Sequence, residues 1–198
     1  MNLFKFRNKI VSDEQLMAQY SVGSQDSFRE IYQRYSKRLL HYFYRMLGHS
    51  EEKAQDFMQD LFLKIVEKPE SYNPSQNFST WLFSVANNMC KNEYRNIAVR
   101  ENTVYIDDTK TVMKQAIYQQ SKIDIKIFNK ELEKQLENLN DEERSCFILR
   151  YQEGFSIKEI SQILNCPEGT IKSKLFYTIK KLSTRLKEFN TLIYSDNL

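Results

Sequence analysis

Hydrophobic residues recur at steps of three and four positions along most of the chain, which is the spacing of amphipathic α-helices. In the first half this pattern predicts three helices, over residues 13–20, 26–47 and 51–68. A fourth helix is predicted after the polar loop of residues 69–78, with Ser79 as its N-cap and an end near Asn96. No strand pattern of useful length occurs, so residues 10–97 are predicted to form a compact helical domain.

Residues 98–127 break this pattern, because polar and charged side chains interrupt every apolar stripe. We expect a flexible linker there, with one helix near residues 111–119. Helical periodicity returns over residues 128–188, where Asn140 is a predicted N-cap and one apolar stripe is formed by Phe128, Leu132, Leu136 and Leu139. The predicted fold class is therefore all-α, with two small helical domains joined by a linker.

The strongest local signal lies within residues 156–182. Ser156, with Glu three positions later, has the spacing of a capping box that begins a short helix over residues 157–164. Asn165-Cys166-Pro167 then predicts a tight turn, because Asn tolerates a left-handed backbone and Pro suits a first helical turn. A longer helix follows to about residue 188. This order is typical of the DNA-binding helix-turn-helix, whose second helix enters the major groove.

The apolar positions of this motif orient its two helices. The residues predicted to face inward are Ile160 and Leu164 on the first helix and Ile171, Leu175 and Ile179 on the second. The residues that then face outward on the second helix, or flank that face, are Thr170, Lys172, Ser173, Lys174, Phe176, Tyr177 and Lys181. Hydroxyl, ammonium and aromatic groups on one exposed face suit phosphates and base edges, which favours DNA binding over a plain helical hairpin.

Charge adds to that hypothesis through its distribution, since a net charge of +3 on 198 residues decides little. Six basic residues and no acidic residue lie from Lys172 to Lys187, whereas residues 131–159 hold eight acidic residues. A basic helix next to an acidic segment indicates one face that meets a polyanion. A solvated, lysine-rich helix has the same composition, so charge alone leaves both interpretations open.

Composition excludes most enzyme classes that have a sequence signature. The four glycines form neither a Walker loop nor a dinucleotide-binding turn. The two histidines and three cysteines have no metal-ligand spacing, so we expect neither a metal nor another cofactor. Cys90, Cys146 and Cys166 are expected to be buried small apolar residues in a reducing compartment.

The chain also lacks the sequence features of a membrane or secreted protein. No apolar run approaches the roughly 20 residues of a membrane span. The first residues have no long apolar stretch of the kind found in signal peptides. We therefore expect a cytoplasmic protein with no membrane insertion.

Two blocks of sequence carry a family resemblance. The block in the first half consists of three motifs, Phe28-x-x-Ile-Tyr-x-x-Tyr35, Gln59-Asp-x-Phe-Leu63 and Phe78-Ser-Thr-Trp-Leu-Phe-Ser-Val-Ala-Asn-Asn88. The block in the second half consists of the motifs Leu139-Asn-Asp-Glu-Glu-Arg144, Tyr151-Gln-Glu-Gly-Phe-Ser156 and Gly169-Thr-Ile-Lys-Ser-Lys174. They resemble regions 2 and 4 of the extracytoplasmic-function sigma factors, the smallest members of the bacterial sigma-70 family. The departures are Asn140 for the usual Pro, Asn165 for Gly and Pro167 for Ser.

The resemblance implies a protein that is not an enzyme by itself. It implies binding to core RNA polymerase, recognition of promoter DNA as a −35 duplex and a −10 single strand, and an anti-sigma factor as a further partner. Two promoter elements about 17 base pairs apart, at about 3.4 Å per step, lie about 60 Å apart. A linker of roughly 30 residues extends to about 100 Å, so one chain can hold both elements.

The resemblance also assigns roles to three sets of residues. Core polymerase is expected to bind the outer side of residues 51–68, through Gln55, Gln59, Asp60, Leu63 and Lys64. The −35 duplex is expected at Thr170, Lys172, Ser173, Lys174, Phe176, Tyr177 and Lys181. The −10 strand is expected at Tyr72, Asn73, Asn77, Phe78, Ser79 and Asn88.

Base chemistry supports this last assignment for the polar loop of residues 69–78, called the −10 loop below, because an extruded base needs a flat apolar face and polar groups for its edge. Tyr72 and Phe78 are the candidate platforms, and Asn73 and Asn77 supply adaptable donors and acceptors. Two prolines are expected to hold the loop away from the helices, which makes Tyr72 the favoured platform.

Two other functions compete with a sigma factor. The first is a stand-alone helix-turn-helix regulator, in which residues 1–97 form a sensor or dimerisation domain. The second is a helical adaptor whose basic helix binds an acidic protein. A sensor needs a cavity, usually with apolar, glycine-containing walls, whereas the first half shows an aromatic-rich segment after a polar loop, which suits unstacked bases. An adaptor needs neither the turn at Asn165 nor the hydroxyls of Thr170 and Ser173.

Overall fold

The computed structural model describes residues 11–101 and 120–187, and all regular structure within these ranges is helical. The first half consists of α1 (Asp13–Ser21), α2 (Gln25–Met46), α3 (Glu51–Glu67), a 3₁₀ turn (Pro69–Ser71) and α4 (Phe78–Glu101). The second half consists of α5 (Gln120–Glu137), α6 (Asp141–Phe147), a π-helical turn (Ile148–Gln152), α7 (Ile157–Leu164) and α8 (Glu168–Arg185). The all-α prediction is confirmed.

The segment predicted as a linker is helical at both of its ends. Helix α4 continues to Glu101, and α5 already begins at Gln120, so both helices enter residues 98–127. The helix expected near residues 111–119 lies outside the described residues. Within residues 11–101 and 120–187, no helix combines the length and the apolar character that crossing a membrane requires.

Polar side chains cap the N-termini of helices at the positions that the sequence predicted, with one exception. The backbone N–H of Glu143 donates to Asn140 at 2.9 Å. Ser156 accepts from the backbone of Glu159 at 3.2 Å, and the Glu159 carboxylate accepts from the backbone of Ser156 at 2.8 Å, which completes the capping box. The prediction that Ser79 caps α4 is wrong, because the Asn77 side chain two residues earlier accepts the N–H of Thr80 at 3.0 Å.

The core of the first half is formed where α2, α3 and α4 turn their apolar sides to one another. Its fully buried side chains include Ile31, Leu39, Tyr42, Phe43, Leu61, Leu82 and Phe83. Helix α1 is hydrogen-bonded to both α2 and α4 of this bundle. Arg34 donates to the Asp13 carboxylate at 2.7 Å, and Glu14 accepts the backbone N–H of Phe78 at 3.0 Å.

A smaller core in the second half joins α5 to α8. The predicted stripe of α5 packs against the end of α8, and the buried members of this cluster are Leu136, Leu139, Leu182 and Leu186. Arg144 then satisfies the end of α5 by donating to the carbonyls of Leu136, Glu137 and Leu139 at 3.0, 2.9 and 3.1 Å. These are carbonyls of the kind that a helix C-terminus leaves without partners.

The two halves also pack against each other, which the sequence did not predict. Helix α7 lies on α4, and the rings of Phe83 and Phe155 meet at a centroid distance of 5.0 Å. Cys90, Cys146 and Ile160 are buried in the same continuous core as Leu16 of the first helix. The described helices therefore form one packed body rather than two separate ones.

We predict that Ser156→Ala destabilises the protein by about 1 kcal/mol, because one donor at the start of α7 loses its acceptor. Urea unfolding followed by circular dichroism measures this loss. Ser183→Ala is the matched control, since the Ser183 hydroxyl only bonds within its own helix, to the Lys180 carbonyl at 3.1 Å. An equal loss in both variants would contradict a specific capping role for Ser156.

Candidate nucleic-acid interface

The helix-turn-helix forms around a left-handed residue at its turn. Asn165 has φ 50° and ψ 54°, as its sequence position predicted. The backbone N–H of Cys166 reaches back to the Ser161 carbonyl at 3.0 Å, which closes the end of α7. Pro167 precedes α8 without a side-chain cap, but its carbonyl accepts from Thr170 at 2.9 Å.

The inward face of α8 differs from the prediction at one position. Thr178 is fully buried, whereas Ile179 is 42% exposed, so the assignment of Ile179 to the core is wrong. At about 100° per residue, position 178 lies within about 20° of Ile171 around the helix, and position 179 lies about 80° away. Hydrophobicity favoured the isoleucine, but helix geometry decides the face.

The same geometry turns most of the candidate DNA-binding residues outward. Lys172, Ser173, Phe176, Tyr177 and Lys181 are exposed. Thr170 and Lys174 are half-buried at the edge of this face. The rings of Phe176 and Tyr177 contact each other edge to face at 5.4 Å, so α8 presents an aromatic pair among basic side chains.

Two of the outward lysines are paired with carboxylates of α6. Lys174 donates to Glu142, and the Lys181 ammonium lies 2.5 Å from a Glu143 oxygen. The hydrogen bond from Lys174 lowers the pKa of Glu142 and raises the pKa of Lys174 itself. Sequence reasoning missed both pairs, because no spacing rule connects residues 32 and 38 positions apart.

The −10 loop is folded onto the body of the protein. Tyr72 is only 5% exposed, and its hydroxyl donates to the Gln76 carbonyl at 2.5 Å. Its ring lies 5.3 Å from that of Phe78 and 5.1 Å from that of Trp81, and Phe78 is itself fully buried. The expectation that the prolines hold Tyr72 away from the helices is wrong, because the aromatic cluster draws the loop inward. Neither candidate platform offers an open face here, and base stacking on them stays a prediction.

The polar residues of this loop are partly used in local structure. Asn73 accepts from the backbone and the hydroxyl of Ser75 at 3.0 and 2.8 Å. Asn77 caps α4 and also accepts the Ser79 hydroxyl at 2.7 Å. Asn88 lies exposed near the middle of α4. The loop therefore presents polar groups that are held by local hydrogen bonds, and α4 adds the exposed side chain of Asn88.

The outer side of α3 is open over its whole length. All five residues predicted to contact polymerase, Gln55, Gln59, Asp60, Leu63 and Lys64, are exposed. Leu63 is 55% exposed, and Val66 and Tyr32 are exposed apolar side chains in the same part of the first half. The Tyr32 ring packs on Phe62 of α3 at 4.7 Å. Periodicity alone places Tyr32 and Val66 at the edge of the core, so their exposure was not predicted.

Two family models match the chain. The model described as Sigma-70 region 2 matches residues 31–99, and the model described as Sigma-70, region 4 matches residues 129–182. Together they cover more than half of the chain. The first match includes α3, the −10 loop and Asn88, and the second includes α6, α7 and most of α8.

Curated relatives resemble the chain over most of its length. The ECF RNA polymerase sigma factor SigW of Bacillus subtilis (strain 168) is 26% identical over 181 residues, which is 86% of this chain and 94% of SigW. The RNA polymerase sigma factor YlaC of the same organism is 28% identical over 165 residues, 82% of this chain and 91% of YlaC. The ECF RNA polymerase sigma factor SigM of Mycobacterium tuberculosis (strain ATCC 25618 / H37Rv) is 25% identical over 180 residues, 91% of this chain and 87% of SigM.

Solved structures share the fold. CnrH, solved in complex with the cytosolic domain of CnrY, superposes with a TM-score of 0.66 at 20% identity, over 89% of this chain and 97% of CnrH. The sigma factor RpoE of Bartonella quintana, solved with the anti-sigma factor NepR, gives a TM-score of 0.63 at 23% identity, over 81% of this chain and 96% of RpoE. The arrangement of helices described above is therefore that of known proteins.

We predict that Lys172→Ala and Lys174→Ala each weaken binding to a random-sequence DNA duplex. The slope of log affinity against log salt is expected to fall by about 1 for Lys172→Ala, and by less for Lys174→Ala because Lys174 is already paired with Glu142. Fluorescence anisotropy across a salt series measures both quantities. Lys53→Ala in α3 removes an equal charge from the first half and is the control. Unchanged affinity and slope for Lys172→Ala would show that α8 is misassigned as the recognition helix.

We predict that Tyr72→Ala destabilises the fold by about 3–5 kcal/mol, as removal of a large buried ring does. Tyr72→Phe keeps the ring and loses only the bond to Gln76, at a cost of about 0.5–1.5 kcal/mol. Urea unfolding measures both variants. A Tyr72→Ala protein with wild-type stability and lost single-strand binding would instead identify Tyr72 as a base platform.

Proposed function

Because the chain belongs to the extracytoplasmic-function group of the sigma-70 family, we propose that it binds core RNA polymerase and directs promoter recognition and transcription initiation. The observation that carries this function is the pairing of a region 2 match with a region 4 match in one chain. A stand-alone regulator or an adaptor accounts for the helix-turn-helix alone, and not for the region 2 match.

The two halves of the chain bind different partners. Residues 10–97 bind core polymerase through α3 and the −10 strand through the loop and α4, where Asn73, Asn77, Ser79 and Asn88 offer polar groups. Residues 128–188 bind the −35 duplex through the outer face of α8, and residues 98–127 join the halves. What supports this division is the exposure of α3 and α8 together with the family matches.

The binding partners and the cellular location of the protein are inferred from the same family membership. The chain acts in the cytoplasm, on polymerase and promoter DNA, and has no catalytic activity of its own. An anti-sigma factor is a further partner. Support for this partner comes from RpoE of Bartonella quintana, which was solved with the anti-sigma factor NepR.

Transcription in vitro tests the function directly. Bacterial core RNA polymerase is supplied with a pool of random-sequence, promoter-length duplexes, with and without the protein. We expect transcripts only when the protein is present, and sequencing of the productive templates gives its promoter. Binding to duplex DNA without any binding to core polymerase would favour the stand-alone regulator.

We predict that the double substitution Gln59→Ala and Asp60→Lys weakens assembly with core polymerase at least about tenfold, which is a loss of about 1.4 kcal/mol. Both side chains are exposed on α3, so the helical circular dichroism spectrum is expected to be unchanged. Co-purification with core polymerase measures assembly. Asp26→Lys, which makes the same charge change at an exposed position of α2, is the control. Undiminished co-purification would place the docking surface elsewhere.

A further inference from the structure

Two lysines of α8 are held by carboxylates of a neighbouring helix. Helix α6 packs against α8, Lys174 donates to Glu142, and the Lys181 ammonium lies 2.5 Å from a Glu143 oxygen. Positions 174 and 181 are about two helical turns apart and lie within about 20° of each other around α8. The two ion pairs therefore lie along one side of this helix.

The other side of α8 carries unpaired charge. Lys172 and Lys180 are exposed and form no ion pair within residues 11–101 and 120–187. Position 172 lies about 160° around the helix from position 174 and about 180° from position 181. Ser173 and Tyr177 are exposed between these two sides. The outward face of α8 is thus bounded by a free lysine on one side and by the two paired lysines on the other.

The two carboxylates belong to the first turn of α6, where negative charge is favoured by the helix dipole. The hydrogen bond from Lys174 lowers the pKa of Glu142, which keeps this carboxylate charged. The Glu143 side chain is only 12% exposed, so little of it is free to turn into solvent. Exposed ion pairs add little to the stability of a fold, so stability does not account for this arrangement. Two negative charges remain beside α8 when it meets DNA.

These charges affect matching and non-matching DNA differently. A free lysine meets a phosphate at many positions along any duplex and releases a counterion each time. A lysine held by a carboxylate points in one direction, and meeting a phosphate exchanges one anion for another. At a matching sequence the contacts to base edges fix the register of α8, so a held lysine meets the same phosphate each time. On other sequences no register is fixed, and the held lysines lose most of their phosphate contacts.

We propose that Glu142 and Glu143 determine the specificity of the −35 interface: they hold Lys174 and Lys181 in one direction and weaken binding to non-matching DNA more than binding to the promoter. This inference rests on the proposed function, in which α8 meets the −35 duplex. Specificity is a difference between two affinities, and a group that disfavours the wrong partner increases it. The two glutamates act through the lysines and are therefore positioning residues.

The double substitution Glu142→Gln and Glu143→Gln tests this role, because it removes both charges and keeps the size of the side chains. Fluorescence anisotropy of the full chain with a random-sequence duplex is measured across a salt series. We expect the affinity to rise about threefold and the slope of log affinity against log salt to become steeper by about 1. Asp141→Asn is the matched control, since it removes the same charge from the same turn and Asp141 forms no ion pair with α8 among the described residues.

Circular dichroism shows whether each variant keeps its helices. An unchanged affinity and slope in the folded double variant would overturn the proposal. An equal change in Asp141→Asn would also overturn it, because the effect would then follow from net charge alone.

A double-mutant comparison tests whether Glu142 acts through Lys174. We expect Lys174→Ala to reduce the salt slope by less than 1 in the wild type, and by about 1 when residue 142 is already Gln. Lys172→Ala is the control, and its loss of about 1 is expected to be the same in both backgrounds. An equal loss for Lys174→Ala in both backgrounds would show that Glu142 does not hold Lys174.

Competition during transcription then measures specificity. The chain is assembled with core polymerase and a promoter recovered from the random pool, and random-sequence duplex is added as competitor. We expect the double Gln variant to be inhibited at a competitor concentration about threefold lower than the wild type, because only its binding to non-matching DNA has become stronger. Equal sensitivity to competitor would overturn the specificity role. Absence of transcripts with the wild type would instead overturn the proposed function, and the random-duplex measurements, which use no polymerase, distinguish the two failures.

Discussion

The packing of α7 against α4 is the contact on which the rest of the arrangement depends. Helix α4 has 24 residues, and its inner side buries Phe78, Leu82, Phe83, Ala86 and Cys90. Phe83 is shared, because it fills the first bundle and also meets Phe155 at 5.0 Å. Arg38 lies over both of these rings and holds Glu153 beside them. One helix therefore organises the loop of residues 69–78, the core of the first half and the position of the helix-turn-helix.

Local signals predicted nearly all of the described helices. Strong periodicity and polar caps located α2, α3 and α7, and Asn165 adopts the left-handed conformation expected of the turn. The predictions of which side chains are buried were wrong at two positions, where one local rule outweighed another. Ile179 was assigned to the core by hydrophobicity, although Thr178 is the residue in phase with the buried face. Tyr72 was predicted to be exposed because two prolines were expected to hold its loop away from the helices, yet its ring packs with those of Phe78 and Trp81.

The interface between the halves could not be predicted because its partners are far apart in sequence and ordinary in kind. Arg38 and Glu153 are separated by 115 positions, and each is a charged residue in a segment rich in charge. Periodicity describes one helix at a time and does not say which helix covers its apolar side. The Phe155 ring is the one local hint, since an aromatic residue beside a glycine in a turn needs a covering surface.

Such unpredicted contacts also involve two lysines of α8, the helix proposed to meet the −35 duplex. A count of basic residues treats each lysine as free to meet a phosphate, but Lys174 and Lys181 already meet the carboxylates of α6. DNA binding then exchanges one anion for another, so the net gain per lysine is smaller than for a free side chain. Lys172, exposed and without an ion pair among the described residues, keeps its full share of counterion release. We therefore expect the pairs with α6 to affect how Lys174 and Lys181 are oriented on α8 more than they affect the affinity for DNA.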